Sequence, residues 1–370
     1  MMRPLPVDMD YVKDILEKLL LIPSPTGYTD QIVYFMGEEL SRLGIPYQMT
    51  RRGAIQAELP GDQKNPARAI AAHLDTLGAM VKQLKDNGRL EIVPIGYWSS
   101  RFAEGARVTI FTDHGGKRGT ILPIKASGHT FHEEIDKLPV SWENVEVRVD
   151  EVCKNRRDLE EMGFHVGDYI AVDSNPQFSD NGFINARHLD DKAGVALVLG
   201  AAKAVWEREI PLSVTCNLLF TISEEVGVGA SAGLQQNVAE MVTVDNATPA
   251  QGQNSSEFGV TIALMDSAGP FDYHLSQRMI KLCNEHDISC QREVFKYYKS
   301  DSASALAAGN DLRTALVCFG VDASHGYERT NLDSLRSVSA LLTLYMQTGL
   351  TCPRDRIKIG PLNGFIRQPT

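Results

Sequence analysis

Residues 212–245 read LSVTCNLLFTISEEVGVGASAGLQQNVAEMVTVD. Two apolar runs, Leu212–Ile222 and Met241–Asp245, have the length and composition of buried strands. The glycine-rich stretch between them reads as a helix start over Glu225–Leu234. A helix is expected just upstream, Asp191–Trp206, and the rhythm continues downstream. It runs through a helix at Tyr273–His286, a strand at Glu293–Tyr298, a short helix at Ala303–Ala308, a strand at Thr314–Phe319 and a helix at Leu332–Gln347. Strands alternating with helices predict an α/β fold whose mainly parallel sheet is covered by helices on both faces.

The N-terminal part belongs to the same pattern. Asp10 can cap a helix with Val12, Ile15, Leu16, Leu19 and Leu20 at helical spacing, which Pro23 and Pro25 stop. A second helix, Thr29–Leu43, ends on Gly44 as its left-handed residue. Strands follow at Ala54–Leu59 and Ala67–Ala72. From about Val81 to Phe183 helical periodicity nearly vanishes. Short strands at Leu90–Val93, Val108–Phe111, Thr120–Ile124, Val145–Val149 and Tyr169–Val172 alternate with glycine-rich turns, which predicts a small barrel or sandwich. The expected organisation is one α/β domain, residues 1–80 and 184–352, interrupted by a β-domain at 81–183 and followed by a weakly ordered tail at 353–370.

Composition narrows the function. The 370 residues carry a formal charge of −10, with 43% apolar and 23% charged residues. That is globular, and it offers no electrostatic footprint for nucleic acid or an anionic membrane. No apolar run approaches the ~20 residues that span a bilayer, and MMRPLPVDMD does not read as a secretory signal. Six cysteines without a CxxC pair argue against a disulfide scaffold or a thiolate zinc cluster and fit a reducing cytoplasm.

In open α/β sheets ligands gather at the carboxyl ends of strands. There the sequence places His73 and Asp75, Glu224 and Glu225, Asp245, and His325 just beyond, with Asp190 and Asp191 opening a helix. Taken singly, each has a plainer explanation: a strand-end polar pair, a helix cap, acids near a helix N-terminus, a core histidine. Adjacent buried carboxylates repel one another unless a cation or proton intervenes. The conjunction is not predicted by those explanations, and imidazole with carboxylate suits Zn²⁺, Co²⁺ or Mn²⁺. Gly229-Ala230-Ser231-Ala232-Gly233 matches a nucleophile-elbow pattern, but Ser231 falls nine residues after Ile222, so a small-residue helix is expected instead. The sequon at Asn246 is expected to be a chance match.

Six motifs in order, HLDTLGAMV (73–81), ARHLDDKAGVAL (186–197), FTISEEVGVGA (220–230), VDNATP (244–249), SDSASALAAG (300–309) and SHGYERTNLDSL (324–335), resemble the metallo-aminopeptidase family of tetrahedral and glutamyl aminopeptidases. The resemblance implies a metallopeptidase domain with an inserted PDZ-like β-barrel that joins subunits. It implies two divalent metal ions per subunit, zinc first with cobalt or manganese as alternatives. His73, Glu225, Asp245 and His325 would be terminal metal ligands and Asp190 the bridge. Asp75 would orient His73, and Glu224 would be the general base. The implied partners are a short peptide substrate and further copies of the chain, as dimers assembling to a dodecamer. Val228-Gly229 departs from the family's usual Arg-Gly, and Gly128-His129-Thr130 from its Pro-His turn. His114, His129 and His132 lie in the insertion and are not expected to be ligands.

The function expected is removal of the N-terminal residue from short peptides. An amidohydrolase, deacylase or dipeptidase could use the same cluster, and an oligomeric binding protein with a vestigial site is the non-enzyme rival. WSSRFAEGARV (98–108) and HGYERTNLDSL (325–335) resemble a bacterial subgroup associated with the osmoprotectant N-acetylglutaminylglutamine amide.

Overall fold

The computed structural model describes residues 2–369. Helix α1 (Met9–Leu21) buries Val12, Ile15, Leu16, Leu19 and Leu20, as its periodicity predicts. Its cap is Asp8 rather than Asp10: the Asp8 carboxylate accepts the Tyr11 N–H at 3.1 Å. Asp10 lies within the first turn, beside Lys13 at 2.7 Å. Helix α2 (Asp30–Leu43) ends on Gly44 at φ 74°, a left-handed conformation that glycine adopts without penalty. Strands β1 (Tyr47–Met49), β2 (Ile55–Leu59) and β3 (Gly61–His73) follow. β3 alternates its faces along one strand. Ile70 and Ala72 join the main core under the helices, whereas Ala69 and Ala71 join a smaller cluster on the opposite face with Ala305.

The chain then leaves the sheet. Strands β4 (Gly78–Leu84), β5 (Leu90–Ile95), β6 (Arg107–Thr112), β7 (Gly115–Pro123), β8 (Val145–Val149) and β9 (Tyr169–Val172) close into an antiparallel barrel in the order β4-β5-β8-β7-β6-β9. The barrel has its own core, in which Val81, Ile92, Val108, Ile110, Ile121 and Val147 pack together. It also carries the short helices α3 (Gly128–Phe131) and α4 (Arg156–Glu161). Composition does not signal α4, because only Leu159 of it is buried and no apolar stripe forms.

Strands β10 (Gln177–Phe178) and β11 (Phe183–Ala186) return the chain to helix α5 (Leu189–Trp206). α5 is buried almost throughout and apolar all round, as a central helix must be. Its first turn is broken, with non-helical dihedrals at Asp190 and Asp191. Next come β12 (Leu212–Thr221) and β13 (Val238–Ala247). The helix expected between them is a single 3₁₀ turn, Gly229–Ser231, since Gly227, Gly229 and Gly233, three glycines in seven residues, make continuous helix unfavourable. Strands β14 (Val260–Asp266) and β15 (Gly269–Pro270) were not anticipated. Then follow α6 (Tyr273–Glu285), β16 (Cys290–Val294), α7 (Asp301–Ala307), β17 (Arg313–Gly320), β18 (Glu328–Asn331) and α8 (Leu332–Gln347). β16 begins three residues before the expected Glu293 because it pairs in parallel with β14 from Val260 opposite Cys290.

The large sheet runs β1-β2-β12-β3-β13-β17-β14-β15, with β16 on β14. Its centre is parallel: β3 pairs with both β12 and β13, and β13 with β17. Among the described residues no helix is long and apolar enough to cross a membrane.

Candidate active site

The parallel centre brings the candidate residues to one edge. His73 is the last residue of β3, level with Thr221, the last of β12. Glu224 and Glu225 follow Thr221 after two intervening residues, Ile222 and Ser223. Asp245 lies near the end of β13 and is paired with Cys318 of β17. His325 sits in the loop after β17, and Asp190 at the broken start of α5. His73, Asp190 and Asp245 place donor atoms within 4.8 Å of one another, and so do Asp190, Glu225 and His325. Asp190 belongs to both groups.

The two histidines are built alike. His73 Nδ1 is 2.9 Å from the Asp75 carbonyl oxygen, and its Nε2 is 3.1 Å from Asp190 Oδ1. His325 Nδ1 is 2.8 Å from the Tyr97 carbonyl oxygen, and its Nε2 is 3.3 Å from Asp190 Oδ2. A carbonyl can only accept, so each ring carries a proton on Nδ1 and turns Nε2 toward Asp190. Nε2 is then the nitrogen left to ligate a metal once it sheds its own proton.

Asp75 reaches His73 through its backbone. Its carboxylate lies 3.7 Å from the ring and is committed elsewhere. Oδ1 accepts the Glu224 N–H at 3.0 Å, and Oδ2 accepts the Glu225 N–H at 3.3 Å and the Thr26 hydroxyl at 2.6 Å. Asp75 thus anchors the peptide that presents both glutamates. Glu225 Oε2 is 3.8 Å from His325 Nε2. Glu224 Oε2 is 3.7 Å from His73 Nε2, and Glu224 belongs to neither donor group. Asp191 is turned away from the cleft: its Oδ2 accepts the His73 N–H at 3.0 Å.

Sequence reasoning missed Glu328. This carboxylate, 1% exposed, accepts the Asp190 N–H at 3.2 Å and the His325 N–H at 2.9 Å. It supports His325 in a left-handed conformation, φ 67°, which is uncommon for a non-glycine residue. Its place three residues after His325 was the available signal. Also missed was Asp301, which accepts from Thr221 Oγ1 at 2.6 Å and from the Ala230 N–H at 2.7 Å. A Cβ at Gly229 would lie 2.1 Å from Asp301 Oδ1, so that contact requires glycine.

The electrostatics call for cations. Burial pushes Glu224, Glu225 and Asp191 well above the usual carboxylate range, and raises Asp245 to about 7 with help from the Asp190 charge. Burial acts on Asp190 in the same sense, yet hydrogen bonds to His325 and His73 hold it below the usual range. Without cations such a cluster must keep protons, whereas divalent ions would neutralise it. Donor type and geometry both fit ions of that kind.

The remaining motifs fall away from this chemistry. Ser231 is exposed and bonded only to the Ser304 carbonyl, at 3.5 Å. Asn246 is buried against Asp245, so the sequon has no outlet. His114, His129 and His132 are exposed on the barrel. A cleft of about 700 Å³ opens over Glu224, Asp190, Asp245 and His325, with Tyr97 and Tyr298 on its walls.

A paired set of histidines and carboxylates under such a cleft, on this sheet and beside this barrel, has the donor chemistry of a metal-dependent hydrolase. The chain belongs to the M42 glutamyl aminopeptidase family, whose profile matches residues 53–341. It is 36% identical to a putative aminopeptidase, YhfE, of Bacillus subtilis, over 90% of this chain and 97% of that one. The fold is that of the TET aminopeptidase of a marine-sediment Thaumarchaeota archaeon, with a TM-score of 0.81 at 17% identity, covering 91% and 96% of the two chains. It is also that of the Pyrococcus horikoshii TET1 peptidase, which can assemble into a tetrahedron or a large octahedral shell, with a TM-score of 0.79 at 20% identity, covering 90% and 99%. Aminopeptidases of this family are metal-dependent, in keeping with the donor groups around Asp190.

Proposed function

We propose that this enzyme removes the N-terminal residue from short peptides at a two-metal centre. His73 and Asp245 would hold one ion, Glu225 and His325 the other, and Asp190 would bridge them. When bound, the ions supply Lewis-acid polarisation of the scissile carbonyl and an anchor for the free amine. Glu224 takes the proton of the attacking water and delivers it to the leaving amine. Asp75 keeps Glu224 and Glu225 at their stations and lends its carbonyl to His73. The observation that carries this division of labour is the position of Glu224. It stands in the cleft beside both donor groups and is a member of neither.

Assembly into a homo-oligomer, a dodecamer of barrel-joined dimers, is part of the proposal and is supported by the shells of the Pyrococcus horikoshii neighbour. A cytoplasmic setting is supported by six unpaired cysteines. A glutamine-containing dipeptide of osmolyte metabolism is the finer substrate proposed. Its only support is the resemblance of residues 98–108 and 325–335.

The test is a zinc-loaded panel of chromogenic aminoacyl amides, Gln-Gln, its N-acetyl and amide forms, and a ten-residue peptide. Cleavage of free-amine substrates, with the short ones preferred in kcat/KM, is expected. Preference for N-acetylated substrates would replace the aminopeptidase by a deacylase. Preference for the long peptide would remove the dipeptide proposal.

A further inference from the structure

The inserted barrel reaches into the proposed metal centre. The acceptor for His325 Nδ1 is the carbonyl of Tyr97, which lies in the segment after β5. That contact matters because the His325 side chain is 31% exposed, too open for packing alone to fix its ring. The Tyr97 side chain contributes nothing to it, being 91% exposed. The carbonyl is aimed instead by the other residue of its rigid peptide plane, Trp98. Trp98 is buried, and its indole N–H donates to the Gly78 carbonyl at 3.0 Å. Its ring meets Trp142 edge-on with centroids 4.7 Å apart, and the Trp142 indole donates to the Trp98 carbonyl at 3.2 Å. Gly96 turns the chain into this segment at φ 81°, where a Cβ would lie 2.5 Å from Leu77 Cδ2. A second tie follows: Arg187 donates to the Phe102 carbonyl at 2.7 Å and to the Gly326 carbonyl at 3.4 Å, joining the barrel segment to the residue after His325.

We infer that Trp98 is a positioning residue of the catalytic centre, fixing the Tyr97 carbonyl that orients His325 and turns its Nε2 toward the metal donors around Asp190. The inference rests on the two-metal reading for its consequence, and on the metal-free geometry for its cause. Loss of the Trp98 anchor frees the peptide plane. His325 then loses the acceptor that selects its tautomer, and only the ion shared by Asp190, Glu225 and His325 is affected. The ion at His73 keeps its own acceptor, the Asp75 carbonyl.

The test compares Trp98→Ala and Trp98→Phe with Leu159→Ala, a change elsewhere in the same barrel core. Zinc binding is titrated, and the His325 imidazole proton is followed by NMR in metal-free protein. In Trp98→Ala one of the two zinc ions should bind about 10–100-fold less tightly, the range for loss of a ligand's outer partner. Trp98→Phe, which keeps an aromatic ring but loses the indole donor, should fall between it and wild type, and it carries the test if Trp98→Ala does not fold. Leu159→Ala should lower the Tm and keep both ions. The protected Nδ1 proton of His325 should be visible in wild type and lost in Trp98→Ala. Wild-type zinc affinity in both Trp98 variants, or an unchanged Nδ1 proton, overturns the inference. If wild type itself takes up fewer than two zinc ions, the two-metal reading fails, and the NMR comparison still decides the role of Trp98.

Discussion

Glu328 Oε2 accepts the peptide N–H of Asp190 at 3.2 Å, while the other oxygen of the same carboxylate accepts that of His325 at 2.9 Å. One buried side chain therefore sets the spacing between the proposed bridging ligand and a terminal ligand. In Glu328→Gln the amide can accept only one of these N–H groups and turns its own donors toward the other. Leaving a buried donor without a partner costs about 1–3 kcal/mol. We expect a lower Tm and a metal affinity about 10–100-fold weaker, measured by thermal melts and zinc titration. Unchanged zinc binding would show that Glu328 is merely part of the core.

The adjacent glutamates should separate cleanly. Glu224→Gln should keep its metal content and lose about 10²–10⁴-fold in kcat, the scale of a general base. Glu225→Gln should lose one ion. Metal analysis beside steady-state kinetics distinguishes them, and loss of metal from the Glu224 variant instead would reverse the two roles.

Asp75→Asn discriminates between the two ways Asp75 could serve His73. The carbonyl contact to His73 survives this change, so the ion at His73 should remain bound. The carboxylate contacts to Glu224, Glu225 and Thr26 do not survive intact, so kcat should fall, by about 10-fold or more if their loss resembles that of other outer partners. Selective loss of the His73 ion would show that the carboxylate, 3.7 Å from the ring, is what orients it.

Much of this was legible because strand ends can be read from apolar runs. His73, Glu224, Glu225 and Asp245 each follow or close such a run, and parallel pairing brings those ends together whatever the loops do. The Tyr97 carbonyl was not legible, since a backbone oxygen has no sequence signature and reaches His325 across 228 positions. Asp75 was assigned to His73 on family resemblance, yet its carboxylate faces the chain crossing from β12. The register that places β12 beside β3 is a tertiary fact. The helix expected at Glu225–Leu234 failed because its small residues serve close approach, with Gly229 packed on Asp301.

Metal uptake should release protons. Burial and the Asp190 charge raise Asp245 to about 7, so below that pH it holds a proton in the metal-free enzyme. Burial works against charge on His325, but the hydrogen bond to Asp190 and the nearby Glu225 raise it to about 10, so it too is protonated at neutral pH. Ligands must shed these protons to bind an ion. Zinc affinity should therefore fall as the pH drops through 7. Calorimetry in buffers of different ionisation heat reads the released protons directly, and pH-independent binding without proton release would contradict this account of the site.

The central claim is that peptide cleavage requires two ions sharing Asp190. Zinc titrated into exhaustively chelated enzyme, with aminoacyl-amide hydrolysis followed at each step, tests it most directly. The account predicts no activity in the metal-free protein and a plateau at two equivalents of zinc per chain. Full activity without metal, or a plateau at one equivalent with no further uptake, would contradict it.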